Sequence, residues 1–473
     1  MNNQLYEQKY SEVVEPSYGT KRDPAQDAEL ELDVQKHTYS ISCRIDMTKH
    51  ESYSIDPNGC TDADDAFSVF TENGKMYLAI HIADPTEYIP LHSSLWRDIC
   101  NRVTTKYPSN RKPIHMMPQK VLSMVTLQGV DEIKNAITVL SEVNPQTYEI
   151  INEIKLLFTQ IRVQKETQYT YEKAAENMDE VYAFKHGLRI GETLKHKRSL
   201  HTKGVKLSDV NASYPVFEED HVYLKKSING EKQMKSMIAE FAIFANSFVG
   251  EYLKIHLNTG IFRTCNASAW LQHVYEGISG QELLKEIISN GIKADYMSHV
   301  SSHDLVGMAE YCHFTSPIRR LADCICHYLL KHIHLKIPMP FSESELEHYA
   351  NRCLSVAKQD KKNQYLDIKF RLLQVIHNML LSNKHVNLEY YVTSYSGLFL
   401  NLVISKIIVF DGCEKTSEGT KETFDVHMSY TLRIKKYNKD IDAKKMQHVK
   451  ITKVNCFEKH DENTLPELDA QLK

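Results

Sequence analysis

Four aspartates, Asp56, Asp62, Asp64 and Asp65, fall within ten positions of the segment SIDPNGCTDADDAFSVF, residues 54–70. Carboxylates a few ångströms apart raise each other's pKa unless something cationic sits between them. Two readings are open: an acidic loop left in solvent, or a site for a cation. The spacing D-x5-D-x-D-D, with Pro57, Asn58 and Gly59 shaping a turn, lets the loop fold back so that several carboxylates face one point. An EF-hand would need glycine at its sixth loop position and an acid at its twelfth, and counting from Asp56 or Asp62 meets neither condition. Hard carboxylate oxygens at one point suit Mg²⁺ or Mn²⁺ and leave room on the ion for water or a substrate phosphate.

A second constellation is YCHFTSPIRRLADCICHYLL, residues 311–330. Thr315 or Ser316 as N-cap and Pro317 at the first helical position predict a helix start there. Leu321, Ile325, Tyr328 and Leu329 then share an apolar face. Arg319 and Arg320 would stand in the first turn, where the helix dipole disfavours cations. A phosphate at that end would account for both; exposure to solvent at small cost is the alternative. Third, Tyr107 lies in the Pro-rich, basic stretch NRVTTKYPSNRKPIHMMP. An aromatic ring in such a loop either stacks on a nucleic-acid base or is simply half-buried.

Periodicity indicates the elements that position these groups. FSVF, MYLAIHIAD, NAITVLSEVN and YEIINEIKLLFTQIRV read as strands, the last two paired through a turn at Asn144-Pro145. After Tyr169 the pattern becomes helical, in TYEKAAENMDEVYAFKHGLRIGETLKHKRSL and then in QMKSMIAEFAIFANSFVGEYLKIHL, which is apolar on more than one face and therefore buried. The Arg319 helix and the long ELEHYANRCLSVAKQDKKNQYLDIKFRLLQVIHNMLL follow. From about residue 385, YYVTSYSGLFLNLVISKIIVF, YTLRIKKY and HVKITKVN alternate again and predict a small β-barrel. The expected division is 1–45 as an extended arm or partial domain, 46–384 as the main α+β domain, and 385–473 as the barrel.

Composition narrows the function class. No G-x-x-x-x-G-K-[ST] loop occurs, which argues against a P-loop phosphotransferase. The ten cysteines include no C-x-x-C pair, so neither a zinc ribbon nor a disulfide framework is expected. No long apolar run or signal-like start is present, and a cytoplasmic or nuclear protein without membrane attachment is expected. The net charge of −4 hides local basic stretches, namely Lys195, Lys197, Arg198, Lys203 and Lys206; Arg319 and Arg320; and Lys358, Lys361 and Lys362. Each is either a solvated helix face or part of an anion-binding surface.

The order of SIDPNGCTDADDAFSVF, HIADPTEYIP, KYPSNRKPIHMMP, MIAEFAIFANSFVGEYL with IFRTC, and HFTSPIRRLADCICHYLL resembles the ribonuclease II/R family of RNB-domain exoribonucleases. The resemblance spans roughly residues 46–384 and implies an RNB-type catalytic domain, a mixed sheet surrounded by helices, followed by an OB-fold. It implies processive hydrolysis of single-stranded RNA from the 3′ end to nucleoside 5′-monophosphates by a two-metal mechanism using Mg²⁺ or Mn²⁺. Carried over by position, Asp56, Asp62 and Asp65 would be metal ligands and Asp64 the most sensitive acid. Arg319 would stabilise the transition-state phosphate beside Arg320, and Tyr107 would stack on the terminal base. Glu240 would meet ribose hydroxyls, which separate RNA from DNA. The family's usual two N-terminal cold-shock domains do not fit in 45 residues, so that RNA anchor is expected to be either missing or supplied by a protein partner, with the chain itself a monomer. SYSGLFLNLVI and HVKITKVN resemble strands of the family's OB domain. Lys358 stands where some relatives have an acid and Leu321 where an aromatic is common. A catalytically weak RNB-type protein that binds RNA as a regulator is the alternative.

Overall fold

A meander of four antiparallel strands, β3 (Asp65–Glu72), β4 (Lys75–Ala83), β5 (Glu132–Val143) and β6 (Ile150–Val163), forms the central sheet, with β1 (Ile45–Asp46) parallel to β6 at its edge. In this computed structural model residues 2–34, 39–202, 213–218, 221–226, 228–273, 286–287, 290–396, 399–411, 421–434, 447–455 and 467–472 are described. The expected β5–β6 pairing through Asn144-Pro145 is present, with Val143 opposite Ile150. Apolar residues along β3 to β6 face helices α6 (Tyr182–Ser199), α7 (Asn229–His256) and α9 (Leu321–Leu335), enclosing the main core. The shorter helices are α2 (Pro24–Glu31), α3 (Ser94–Arg102), α4 (Gln119–Val125), α5 (Tyr171–Glu176) and α8 (Ser268–Leu271), and two small two-stranded sheets pair β8 (Tyr214–Glu218) with β9 (His221–Lys225) and β10 (Phe262–Thr264) with β11 (Asp295–Met297). Two glycines set close approaches. A Cβ on Gly191 would lie 3.2 Å from the Met237 Cα, so α6 sits tightly on α7, and one on Gly250 would lie 3.0 Å from the Tyr311 amide nitrogen.

The first residues are helical rather than extended. Helix α1 (Asn2–Val13) and the turn after it bury Tyr6, Tyr10, Val14 and Tyr18 around Phe370 of the long helix α10 (Glu343–Leu381). A capping box between Ser342 and Glu345 opens α10. Its C-terminal part packs Leu372, Val375 and Ile376 under a closed barrel of β12 (His385–Ser396), β13 (Phe399–Phe410), β14 (Lys421–Ile434), β15 (Gln447–Asn455) and β16 (Glu467–Leu472). The strand order is β12-β13-β14-β16-β15, antiparallel except for β14 and β16, which is the Greek-key arrangement of an OB-fold. Gly397, within the SYSG match, lies outside the described residues.

One expected boundary moves. Helix α9 begins at Leu321, not at Ser316-Pro317, and Arg320 is its extended N-cap residue at φ −139°, ψ 129°. Tertiary partners take the groups a helix would have used. The amides of Ser316 and Ile318 donate to Asp323 and Asp64, both at 2.7 Å. Thr105 donates to the Arg319 carbonyl at 3.1 Å and Leu321 to that of Val103 at 2.8 Å.

Candidate active site

The aspartate loop is pinned at both ends by strands. Asp56 ends β2 (Ser54–Asp56), which runs parallel to β7 (Gln168–Thr170), and Asp65 opens β3. Gly59 turns the loop at φ +77°, a conformation that costs glycine little. The amides of Ala83 and Leu127 hold the carbonyls of Asp64 and Ala63 at 2.8 and 2.9 Å. The four carboxylates consequently line one cavity of about 720 Å³ together with Tyr107, Arg319 and Arg320. The residues that sequence reasoning grouped as acidic, cationic and stacking therefore meet, from segments more than 250 positions apart.

Each carboxylate has different partners. Asp64 accepts the Ile318 amide on one oxygen and Arg319 Nε on the other, at 2.7 and 2.9 Å. Arg319 in turn donates to Ser316 Oγ at 2.9 Å, so its guanidinium is held from two sides. Burial works against the Arg319 charge, but Asp64, Tyr107 and Asp65 outweigh it and raise its pKa. Arg320 donates to Asp323 at 2.8 Å. Asp62 accepts the Tyr107 hydroxyl at 2.9 Å and lies 3.5 Å from His115 Nδ1. Burial works to raise the Asp62 carboxyl, yet the neighbouring His115 ring and the hydrogen bond from Tyr107 leave it below its ordinary value.

Three of the four carboxyls are raised all the same: burial keeps Asp64 well above its ordinary value despite Arg319 and the Ile318 amide. Burial, then repulsion from Asp65, pushes the Asp56 carboxyl up to about 7. Burial also raises Asp65, against the pull of Arg319 and Arg320. Among the described residues no three His, Cys, Asp or Glu side chains converge as a metal cage. The donor chemistry nevertheless fits a hard divalent ion held by two carboxylates, because Mg²⁺ commonly keeps several waters and takes one or two carboxylates plus substrate phosphate. Asp62, expected as a third ligand, is turned toward Tyr107 and His115 here.

Glu240 requires a correction. It is 2% exposed, does not line the cavity, and makes two hydrogen bonds to Arg198 at 2.6 and 3.0 Å. Its carboxylate is committed to that ion pair, and so is Arg198, which the basic stretch had suggested as an anion contact. Lys203 and Lys206 of that stretch lie outside the described residues. Lys358 sits on the exposed side of α10, 3.4 Å from Asp295, and Leu321 is core. Residues not anticipated supply the facing wall: Tyr171, Lys235, Asn246, Tyr311 and His313. Of these only Asn246 carried a signal, as a polar residue inside the apolar run of α7. It accepts the Phe314 amide at 2.8 Å and donates to Tyr311 Oη at 3.2 Å, which fastens the segment before Arg319 to α7.

The RNB domain model matches residues 44–336. The exosome complex exonuclease RRP44 of Homo sapiens is 27% identical over 322 residues, covering 59% of this chain and 33% of the relative. The chain thus spans a third to about half the length of curated relatives such as this one and the ribonuclease R of Helicobacter pylori. In fold, it is similar to the Dss1 exoribonuclease active-site mutant from Candida glabrata, with a TM-score of 0.73, 18% identity, and coverage of 96% of this chain and 58% of that one. Mycoplasma genitalium RNase R in complex with double-stranded RNA gives a TM-score of 0.69 at 14% identity, covering 96% and 81%. Yeast Ssd1, a pseudonuclease, gives 0.61 at 15% identity, covering 92% and 56%.

Proposed function

Because the chain belongs to the RNB-domain family, we propose that it is a processive 3′-to-5′ exoribonuclease that hydrolyses single-stranded RNA to nucleoside 5′-monophosphates. The observation that carries this reading is the convergence of Asp56, Asp62, Asp64, Asp65, Tyr107, Arg319 and Arg320 on one cavity, about 720 Å³ in volume and within the range of ligand sites.

Asp56 and Asp65, with Asp62 after release from Tyr107, would hold Mg²⁺ or Mn²⁺ in the two-metal arrangement that the resemblance implies. Such ions, when bound, supply a nucleophile from water at neutral pH and balance charge on the transferring phosphate. This chain's own groups do the rest. Asp64 fixes Arg319, whose side chain is 43% exposed and lines the cavity, so that its guanidinium meets charge developing on the scissile phosphate without reorganising. Arg320 adds positive potential next to it. The ring of Tyr107, a residue left 40% exposed, offers a face to the 3′-terminal base. We take 46–384 as the catalytic domain, 385–473 as an RNA-binding OB-fold, and 1–45 as an accessory segment, acting as a monomer.

The Ssd1 likeness favours one second reading, a protein that binds RNA without cutting it. Incubating the purified chain with a 5′-labelled single-stranded RNA, with Mg²⁺ or EDTA, beside the same sequence as DNA separates the two. Metal-dependent shortening of RNA alone from the 3′ end is expected. RNA that is bound but left intact would refute the nuclease reading in favour of the second.

A further inference from the structure

Behind Tyr107, off the cavity, two charged side chains lie buried in the middle of α10: Asp367 is 4% exposed and Arg371 1%. Charged groups are rarely buried so deeply unless something pairs with them. Four residues apart, they share a helix face, and what that face holds is the loop carrying Tyr107. Asp367 accepts the Ser109 amide at 2.9 Å and Ser109 Oγ at 2.5 Å, while Arg371 Nε donates to the same Oγ at 2.8 Å. The N-terminal segment closes the arrangement. The hydroxyls of Tyr10 and Tyr18 donate to Asp367 Oδ2 at 2.7 and 2.8 Å, and the Arg371 guanidinium lies 4.2 Å from the centre of the Tyr10 ring and pairs with Glu7.

We propose that Asp367, with Ser109 and the tyrosines of the N-terminal segment, is a brace that positions Tyr107 for the terminal base. The proposal deepens the nuclease reading and rests on it. Ser109 is two residues from Tyr107, and the intervening Pro108 has a fixed φ, so immobilising Ser109 leaves the Tyr107 backbone little freedom. A loop ordered before RNA arrives spares the complex the entropy of ordering it then. Neither Asp367 nor Ser109 lines the cavity, so both act through Tyr107 as positioning residues. Without the brace the Tyr107 loop would keep the Lys106–Asp360 pair and the Lys106–Ile114 bridge at its base, the Tyr107 hydroxyl on Asp62 at 2.9 Å and Arg111 on Glu15 at 2.6 Å, but nothing among the described residues would fix the backbone at Ser109 between them.

The test compares Ser109→Ala and Ser109→Thr in the full chain by hydrogen–deuterium exchange and by the product ladder on 5′-labelled RNA. With Ser109→Ala, which removes the Oγ hydrogen bonds to Asp367 and from Arg371, amides over residues 104–113 should exchange at least on the order of tenfold faster, the effect of losing even one charge-assisted hydrogen bond, while α9 is unchanged. The limit product should lengthen as it does for Tyr107→Ala, KM should rise more than kcat falls, and Ser109→Thr should restore both readouts. In the Tyr107→Ala background Ser109→Ala should add nothing. Should Ser109→Ala fold poorly, Tyr10→Phe with Tyr18→Phe keeps both rings packed and is read in the same way. Unchanged exchange overturns the brace whatever the RNA result, and so does a loosened loop with a wild-type ladder or an effect that adds to Tyr107→Ala. A wild-type protein inert toward RNA overturns the nuclease reading instead, and the exchange arm alone then judges the brace.

Discussion

Replacing Asp64 with Asn changes one atom at the point where the acidic loop meets Arg319. Asp64 accepts from the Ile318 amide at 2.7 Å and from Arg319 Nε at 2.9 Å, one on each oxygen. Asparagine has a single acceptor oxygen, so its NH₂ must face one of those donors. Losing a charge-assisted hydrogen bond costs about 1.5–3 kcal/mol. Since the Arg319 side chain remains 43% exposed and partly solvated, the stability loss belongs low in that range, about 1.5–2 kcal/mol. Catalysis should suffer more, because a guanidinium no longer held in place stops acting as a preorganised charge. Removing one such group costs about 2.7–4 kcal/mol, a loss of about 10²–10³ in kcat. Single-turnover decay of a 5′-labelled single-stranded RNA in Mg²⁺ gives the rate, RNA titration in EDTA the affinity, and thermal unfolding the stability. The expected result is a rate at least about 10² lower with RNA affinity nearly unchanged. Turnover close to wild type, or lost binding with turnover retained, would refute the placement of Asp64 at the chemical centre.

Tyr107→Ala should lengthen the limit product, whereas Tyr107→Phe, which drops only the hydroxyl to Asp62, should leave it unchanged; a wild-type ladder in the alanine variant would reject stacking. Glu240→Gln breaks a buried ion pair and should cost about 3–5 kcal/mol of stability by denaturant melt while preserving discrimination between RNA and DNA, since that carboxylate does not face the cavity; lost discrimination in a well-folded variant would restore the ribose role. With Asp56 raised to about 7, the folded state binds its proton more tightly than the unfolded chain. Its contribution to stability is therefore full at acid pH below the ordinary carboxylate value and is lost as pH rises through about 7. Asp56→Asn should flatten that decline in EDTA melts at pH 5 and pH 8, and an unchanged pH response would contradict the buried Asp56–Asp65 pair. RNA affinity should fall steeply with salt if Arg319, Arg320 and neighbouring lysines meet phosphates, and a flat log–log plot would argue that they do not.

Much of the chemistry was legible in local sequence because it lives in short segments. The aspartate spacing, the arginine pair and Tyr107 are each visible within about twenty residues, and strands β3 to β6 announce themselves by alternation and the Asn144-Pro145 turn. The terminal barrel was readable for the same reason. What failed did so where a long-range partner outbid a local preference. Thr315, Ser316 and Pro317 carry every mark of a helix start, yet α9 begins at Leu321 because Asp64, Asp323 and the 103–105 segment take the intervening backbone groups.

Glu240 shows the same limit at the level of a side chain. Its position on α7 was legible, but whether it faced substrate depended on Arg198 of α6 arriving on its side of the helix. The polar start of the chain looked like an arm although Tyr6, Tyr10, Val14 and Tyr18 recur every four residues, a helical spacing; what the sequence did not show is the partner for that narrow stripe, Phe370 of α10, about 360 positions away, with Ile114. By itself, then, the sequence determined which groups are available, acids, arginines and an aromatic, since residue type and short spacing are local properties. Only the tertiary structure decided which of them share a cavity, that burial raises Asp56, Asp64 and Asp65 while Asp62 is held below its ordinary value, and that Glu240 is committed to Arg198, because burial and ion pairing are set by segments that sequence spacing does not connect.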